Sequence, residues 1–135
     1  MTDPIIAMFI CRSARTALAN PDGEENVPPG VRMVELPCSG RVDEVMLLKA
    51  LRQGAWAAMV VGCLEGNCRN RTGNYQARRR VDEVRSMLTQ LGLEPERVSM
   101  FSVASNQHVA LMDLIERTRA SARAWGPMRT LEVDG

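Results

Sequence analysis

Apolar positions along the chain fall into short runs of strand character and longer stretches of helical period. Pro4 to Cys11 is an apolar run containing Ile5, Ile6 and Ile10, and it gives way to a polar stretch carrying Pro21-Asp-Gly23 and Pro28-Pro29-Gly30. This predicts a strand and then a long loop, with any helix between them short. Val31 to Cys38 alternates apolar and charged residues, and Pro37 suits the end of a second strand better than its middle. From Val42 to Arg52 the residues Val42, Val45, Met46, Leu48 and Leu51 recur near helical spacing, with Gly54 placed as a C-terminal cap. Ala57 to Cys63 is almost entirely small or apolar, as a strand covered on both faces requires.

Leu64 to Asn74 holds Gly66, Asn67 and Gly73 without an apolar period and is predicted to be a loop. A long helix follows from about Tyr75 to Leu91, with Ala77, Val81, Val84, Leu88 and Leu91 on one stripe and Gly92 as its stop. Glu94-Pro95-Glu96 turns the chain into a fourth strand, Arg97 to Val103. The last helix starts near Ser105 or Asn106 and is expected to direct Val109, Met112, Leu114 and Ile115 to the core. Strand and helix thus alternate, with connections long enough for right-handed crossovers between parallel strands. The predicted fold class is α/β, a flavodoxin-like three-layer sandwich with a mostly parallel sheet of about four strands. Residues 1–127 form that module, and 128–135 form a short polar C-terminal tail, expected to be disordered or docked on a partner.

Composition narrows the function classes. A chain of 135 residues can bury one core without disulfide staples, and 45% hydrophobic with 24% charged residues is ordinary for a globular domain. The net charge of +1 does not suggest a nucleic-acid partner. No stretch approaches the ~20 apolar residues of a transmembrane segment. The N-terminus lacks a basic region ahead of its apolar run and reads poorly as a signal peptide. The cytoplasm is the expected location, and there four cysteines point to metal, redox or burial roles instead of a disulfide framework.

The cysteines carry the candidate chemistry. Cys11, Cys38 and Cys63 end the first three predicted strands, and Cys68 lies five residues further on. In a parallel sheet those ends share one edge, where such folds place ligands. Four thiolates suit an iron–sulfur cluster, and soft sulfur equally suits zinc, so convergence argues for a metal without naming it. The competing reading makes each strand-end cysteine a small buried hydrophobe, a common fate for this residue. That reading must then explain why none of the four falls on a helix. A nucleophilic role lacks a partner, because His108 opens the last helix and no Cys–His pairing is visible in the spacing.

Other features add less. Gly62-Cys-Leu-Glu-Gly66-Asn-Cys68 lacks the Gly-Lys-Ser/Thr ending of a phosphate loop. Arg78-Arg79-Arg80 reads as a solvated helix face, with docking to an acidic partner as the alternative. The nine methionines are spread as gap fillers.

From about Ile5 to Pro127 the chain resembles the delta subunit of methyl-viologen-reducing hydrogenase (MvhD) and related modules of heterodisulfide-reductase-type complexes. Gly62-Cys-Leu-Glu-Gly-Asn-Cys-Arg-Asn-Arg-Thr-Gly-Asn-Tyr-Gln-Ala-Arg-Arg-Arg-Val81 is similar to the family's GCxxGxCxxxxGNxxAxxRV signature. Cys38-Ser-Gly-Arg-Val-Asp43 matches its CxGRVD element, and Ala50 to Ala55 and Gly92 to Val98 match in order and spacing. The resemblance implies a flavodoxin-like fold without flavin, carrying a [2Fe–2S] cluster that relays electrons from a hydrogenase or other donor to a flavin-containing HdrA-like subunit of an oxidoreductase complex. It would be a non-catalytic electron-transfer subunit, and Cys11, Cys38, Cys63 and Cys68 are its implied cluster ligands. Three departures stand out: Ala14 occupies the place of a second cysteine frequent in the family, the loop Arg12 to Gly30 is unlike the usual one, and Val103-Ala-Ser-Asn-Gln-His108 keeps the family's Ala-Ser but not its Glu-Gly. The alternative function is a non-redox scaffold or assembly subunit of such a complex, with the cluster lost or a structural zinc in its place. A small-molecule site in the strand-end crevice is a weaker third reading.

Overall fold

A computed structural model describes residues 3–64 and 71–128. Strands β1 (Ile6–Cys11), β2 (Val31–Leu36), β3 (Ala57–Cys63) and β4 (Val98–Val103) alternate with helices α1 (Arg12–Arg15), α2 (Glu44–Arg52), α3 (Arg71–Gln90) and α4 (His108–Trp125). The strands form one sheet in the order β2-β1-β3-β4, and every pairing is parallel. This is the predicted α/β architecture, with the sheet between two layers of helices. No helix among the described residues is long and apolar enough to cross a membrane.

Each face of the sheet has its own core. Ala7, Phe9, Ala58, Val60 and Val98 pack against Leu47 and Leu51 of α2 and Val81, Val84 and Leu88 of α3. Ile6, Met8, Ile10, Met59 and Val61 pack on the other side against Ala14, Leu111 and Ile115. Every residue of β1 and β3 is buried, so these strands need apolar side chains on both faces. At the sheet edge, β2 alternates half-buried and exposed positions, which explains its mixed sequence.

The helices depart from the predicted phase at three positions. In α2, Asp43 caps the N-terminus by accepting the Met46 N–H at 2.8 Å. Val42 and Leu47, on either side of the cap, are both fully buried in one cluster, the arrangement of a hydrophobic staple. The buried stripe therefore runs through Leu47 and Leu51, and Val45 is 71% exposed. In α4 the stripe is Leu111, Ile115, Thr118 and Ala122; Ile115 is in the core as expected, whereas Val109 faces solvent at 80% exposure. The third is Leu91, also exposed, because α3 stops at Gln90 and the left-handed turn at Gly92 brings Leu93 to the core instead. The start of α3 differs as well, since helix begins at Arg71 within the stretch predicted to be loop.

Arg97 ties the N-terminal edge of the sheet to the end of α4. Its buried guanidinium donates to the carbonyls of Trp56 and Gly126 at 2.9 and 2.7 Å, pairs with Glu94 at 2.7 Å, and lies over the Trp125 ring. Beyond that staple, Met128 is buried in the cluster that α2 and α3 cover.

Candidate functional site

The register of the parallel sheet brings three of the four candidate cysteines to one edge. Cys11 is aligned with Leu36 of β2, while its neighbour Ile10 is aligned with Val61 of β3. Cys38 thus lies two residues past its strand's last paired position, and Cys63 is the final residue of β3, opposite Val103 of β4. With adjacent strands ~4.8 Å apart, the thiols of Cys38 and Cys63 leave the strands on either side of Cys11. Cys68 lies outside the described residues.

Their surroundings differ. Cys11 is buried and caps α1, its Sγ accepting the Ala14 N–H at 3.3 Å. An N–H donor to sulfur is among the levers that tune a sulfur-ligated cluster. Ala14 itself has no exposed surface and shares a core cluster with Cys11 and Cys63. Cys63 is likewise buried. Cys38 is half-buried and leads into the 3-10 turn Ser39–Arg41, its carbonyl accepting the Arg41 N–H at 3.0 Å. Among the described residues, no group of three or more His, Cys, Asp or Glu side chains is arranged to hold a metal ion.

A set of non-cysteine residues braces these loops. The Asn74 side chain donates to the Cys63 carbonyl at 2.7 Å and accepts from the Ser39 hydroxyl at 2.5 Å. One carboxamide thus bridges the end of β3 and the residue after Cys38. Gly62 makes room for it, because a Cβ there would collide with the Asn74 side chain. Six residues further along α3, Arg80 donates to the carbonyls of Gly40 and Val42 at 2.7 and 2.6 Å. Arg78 and Arg79 are exposed, as a solvated face requires, whereas Arg80 is half-buried and committed to the Cys38 loop. The sequence signal for this role is helical spacing: Asn74, Ala77, Arg80 and Val81 lie on the side of α3 that meets the sheet and the Cys38 loop.

Charged groups close the other flank. Arg15 pairs with Glu25 at 2.7 Å and with Glu35 of β2 at 3.0 Å, pinning the loop after α1 to the edge strand. The Arg15 guanidinium holds the Glu25 carboxyl below its ordinary pKa. His108 is half-buried, and its Nδ1 lies 2.9 Å from the Ala17 carbonyl. Beside it a cleft of about 590 Å³ runs between Thr16–Pro21 and Ser105–Ala110. Its side chains include Asn20, Asn106 and His108 but no carboxylate, arginine or lysine.

Known proteins are similar to this chain in sequence over nearly its whole length. Residues 6–126 match the family described as FlpD, methyl-viologen-reducing hydrogenase, delta subunit. An F420-non-reducing hydrogenase iron-sulfur subunit of Archaeoglobus profundus is 33% identical over 129 residues, covering 94% of each chain. The vhu iron-sulfur subunit of the F420-non-reducing hydrogenase of Methanopyrus kandleri is 31% identical over 93% of this chain and 97% of its own. A ferredoxin/F420H2-dependent CoB-CoM heterodisulfide reductase subunit of Methanosarcina acetivorans is 27% identical over 93% of this chain, which corresponds to only 16% of that longer protein. A match spanning the entire sheet and all four helices, with subunits similar along their full length, makes this chain a member of the methyl-viologen-reducing hydrogenase delta-subunit family.

Proposed function

We propose that this protein is an electron-transfer subunit holding a [2Fe–2S] cluster on Cys11, Cys38, Cys63 and Cys68. The observation that carries the reading is the common edge of β2, β1 and β3, to which parallel register brings Cys38, Cys11 and Cys63. The donor chemistry fits: sulfur from adjacent strand ends, two of the three described thiols buried, and one already accepting a backbone N–H. Cys68, in the glycine-containing segment after Cys63, is the fourth thiolate. When bound, the cluster supplies a one-electron relay. The chain's own residues fix the sulfur positions, exclude water around Cys11 and Cys63, and stabilise negative charge on the Cys11 sulfur through the Ala14 N–H.

The proposed acceptor is a flavin-containing HdrA-like subunit, with a hydrogenase or another low-potential donor on the other side, in the cytoplasm where thiols stay reduced. Support comes from two kinds of relative. Those similar along their whole length are named iron-sulfur subunits of hydrogenases. In the longer heterodisulfide reductase polypeptide, a segment similar to this chain is built into the same protein. A module joined to a reductase of that kind in one protein is suited to dock on its counterpart as a separate chain in another.

Protein purified anaerobically from a host competent in cluster assembly tests the reading. About two irons with matching labile sulfide per chain and a visible absorption band are expected, lost in a Cys63→Ser, Cys68→Ser variant. Colourless, iron-free protein overturns it, and stoichiometric zinc in its place supports the scaffold alternative.

A further inference from the structure

We infer that Ser39, Asn74 and Arg80 are positioning residues that hold the Cys38 loop at a fixed place against the end of β3, so that the spacing of Cys38 and Cys63 is set before any cluster is present. This rests on the reading of those cysteines as ligands, and it assigns a role to three side chains that carry no sulfur.

The loop after β2 has little of its own to hold it. Cys38 is half-buried, and the chain beyond it makes a single 3-10 turn with bonds from Arg41 N–H to the Cys38 carbonyl and from Val42 N–H to the Ser39 carbonyl. What fixes this turn comes from α3. The Ser39 side chain is buried, and its hydroxyl donates to Asn74 Oδ1, whose other end donates to the Cys63 carbonyl. Both amide functions are thus used, one on each cysteine segment. Swapping the two ends of the amide would face an N–H₂ toward the hydroxyl and an oxygen toward the carbonyl, so the Cys63 carbonyl fixes the orientation.

Arg80 fastens the far side of the same turn. Its Nη1 reaches both the Gly40 and Val42 carbonyls, which lie on either side of Arg41. Two points on α3 therefore hold a five-residue loop, Cys38 to Val42, at both ends. Both come from one rigid helix, whose buried face packs on the sheet that carries Cys63. Thiolate ligands need this kind of support, because groups behind the ligands set their orientation and the properties of what they bind. Gly62 completes the device, since Asn74 fits only where residue 62 has no side chain.

The test compares the parent chain with Ser39→Ala, Asn74→Ala and Arg80→Gln. Far-UV circular dichroism and thermal melts identify the variants that fold, and any of the three that does so is sufficient. In the cluster-free protein, alkylation by iodoacetamide is followed residue by residue by mass spectrometry, with buried Cys11 as internal control. Cys38 is expected to react roughly ten-fold faster or more, as loss of buried hydrogen bonds lets the loop open. After anaerobic reconstitution with iron and sulfide, the visible circular dichroism and the midpoint potential are expected to change.

Unchanged Cys38 reactivity in the folded variants overturns the inference, as does a reconstituted spectrum and potential identical to the parent's. A parent chain that takes up no iron sinks the cluster reading, and the alkylation comparison then decides the positioning role independently.

Discussion

The buried guanidinium of Arg97 has one carboxylate, Glu94, as its ion-pair partner among the described residues, and three further hydrogen bonds go to the backbone carbonyls of Trp56, Trp125 and Gly126. The Arg97 hydrogen bond holds the Glu94 carboxyl below its ordinary value. A depressed carboxylate pKa contributes stability that is complete above the unfolded value, ~4.3, and lost as pH falls through the folded one. Glu94→Gln should therefore flatten the fall in stability below about pH 4.3, read from urea unfolding across that range. At Gly62 the expected effect is steric. Gly62→Ala drives a Cβ into the Asn74 carboxamide and should cost about 1–3 kcal/mol in denaturant unfolding, with Asn74→Ala partly restoring the loss. Neither residue's partner could be read from the sequence. Arg97 and Arg80 bind backbone carbonyls distant along the chain, and carbonyls leave no mark in the pattern of side chains. Asn74 was visible only as part of a family signature, without its bonds.

Helix phase gives a sharper test at the level of elements. Leu47 and Val45 lie two residues apart in α2, yet Leu47 is fully buried and Val45 is 71% exposed. Leu47→Ala should cost about 2–5 kcal/mol, and Val45→Ala less than about 0.5 kcal/mol, both measured by urea unfolding. Equal losses would mean that the helix is rotated. The strands were the most legible elements. An unbroken apolar run such as Ala57 to Cys63 fits a doubly covered strand, and its observed limits are those expected. The helices were legible in existence but less so in phase, because Val45 and Val109 are apolar residues on solvent faces and mimic core positions. The first turn of α3 was hidden for the opposite reason. There Asn74 turns hydrogen-bonding groups, not apolar surface, toward the sheet end.

For the whole molecule, the order of strands and cysteines along the chain already implies that Cys11, Cys38 and Cys63 converge, since strand ends in a parallel sheet share an edge. The brace across that edge is not legible in the sequence, because its bonds to the Cys38 loop join residues 35 to 40 positions apart in the chain. If the module docks an HdrA-like subunit, module protein pre-reduced with dithionite and freed of excess reductant should pass one electron per chain to that subunit's flavin, its own cluster being oxidised in the step, only when the cysteine edge is intact. Stopped-flow absorbance with the Cys63→Ser, Cys68→Ser variant as control measures this. At the opposite end of the chain, Met128 fills space under α2 and α3, past the Arg97 staple that fastens Trp125 and Gly126. Anyone trimming this polypeptide to a minimal folded unit therefore meets a hard limit. A piece ending at Pro127 would leave a methionine-sized void in the hydrophobic interior, at a cost of about 2–5 kcal/mol, whereas one ending at Met128 keeps that interior closed.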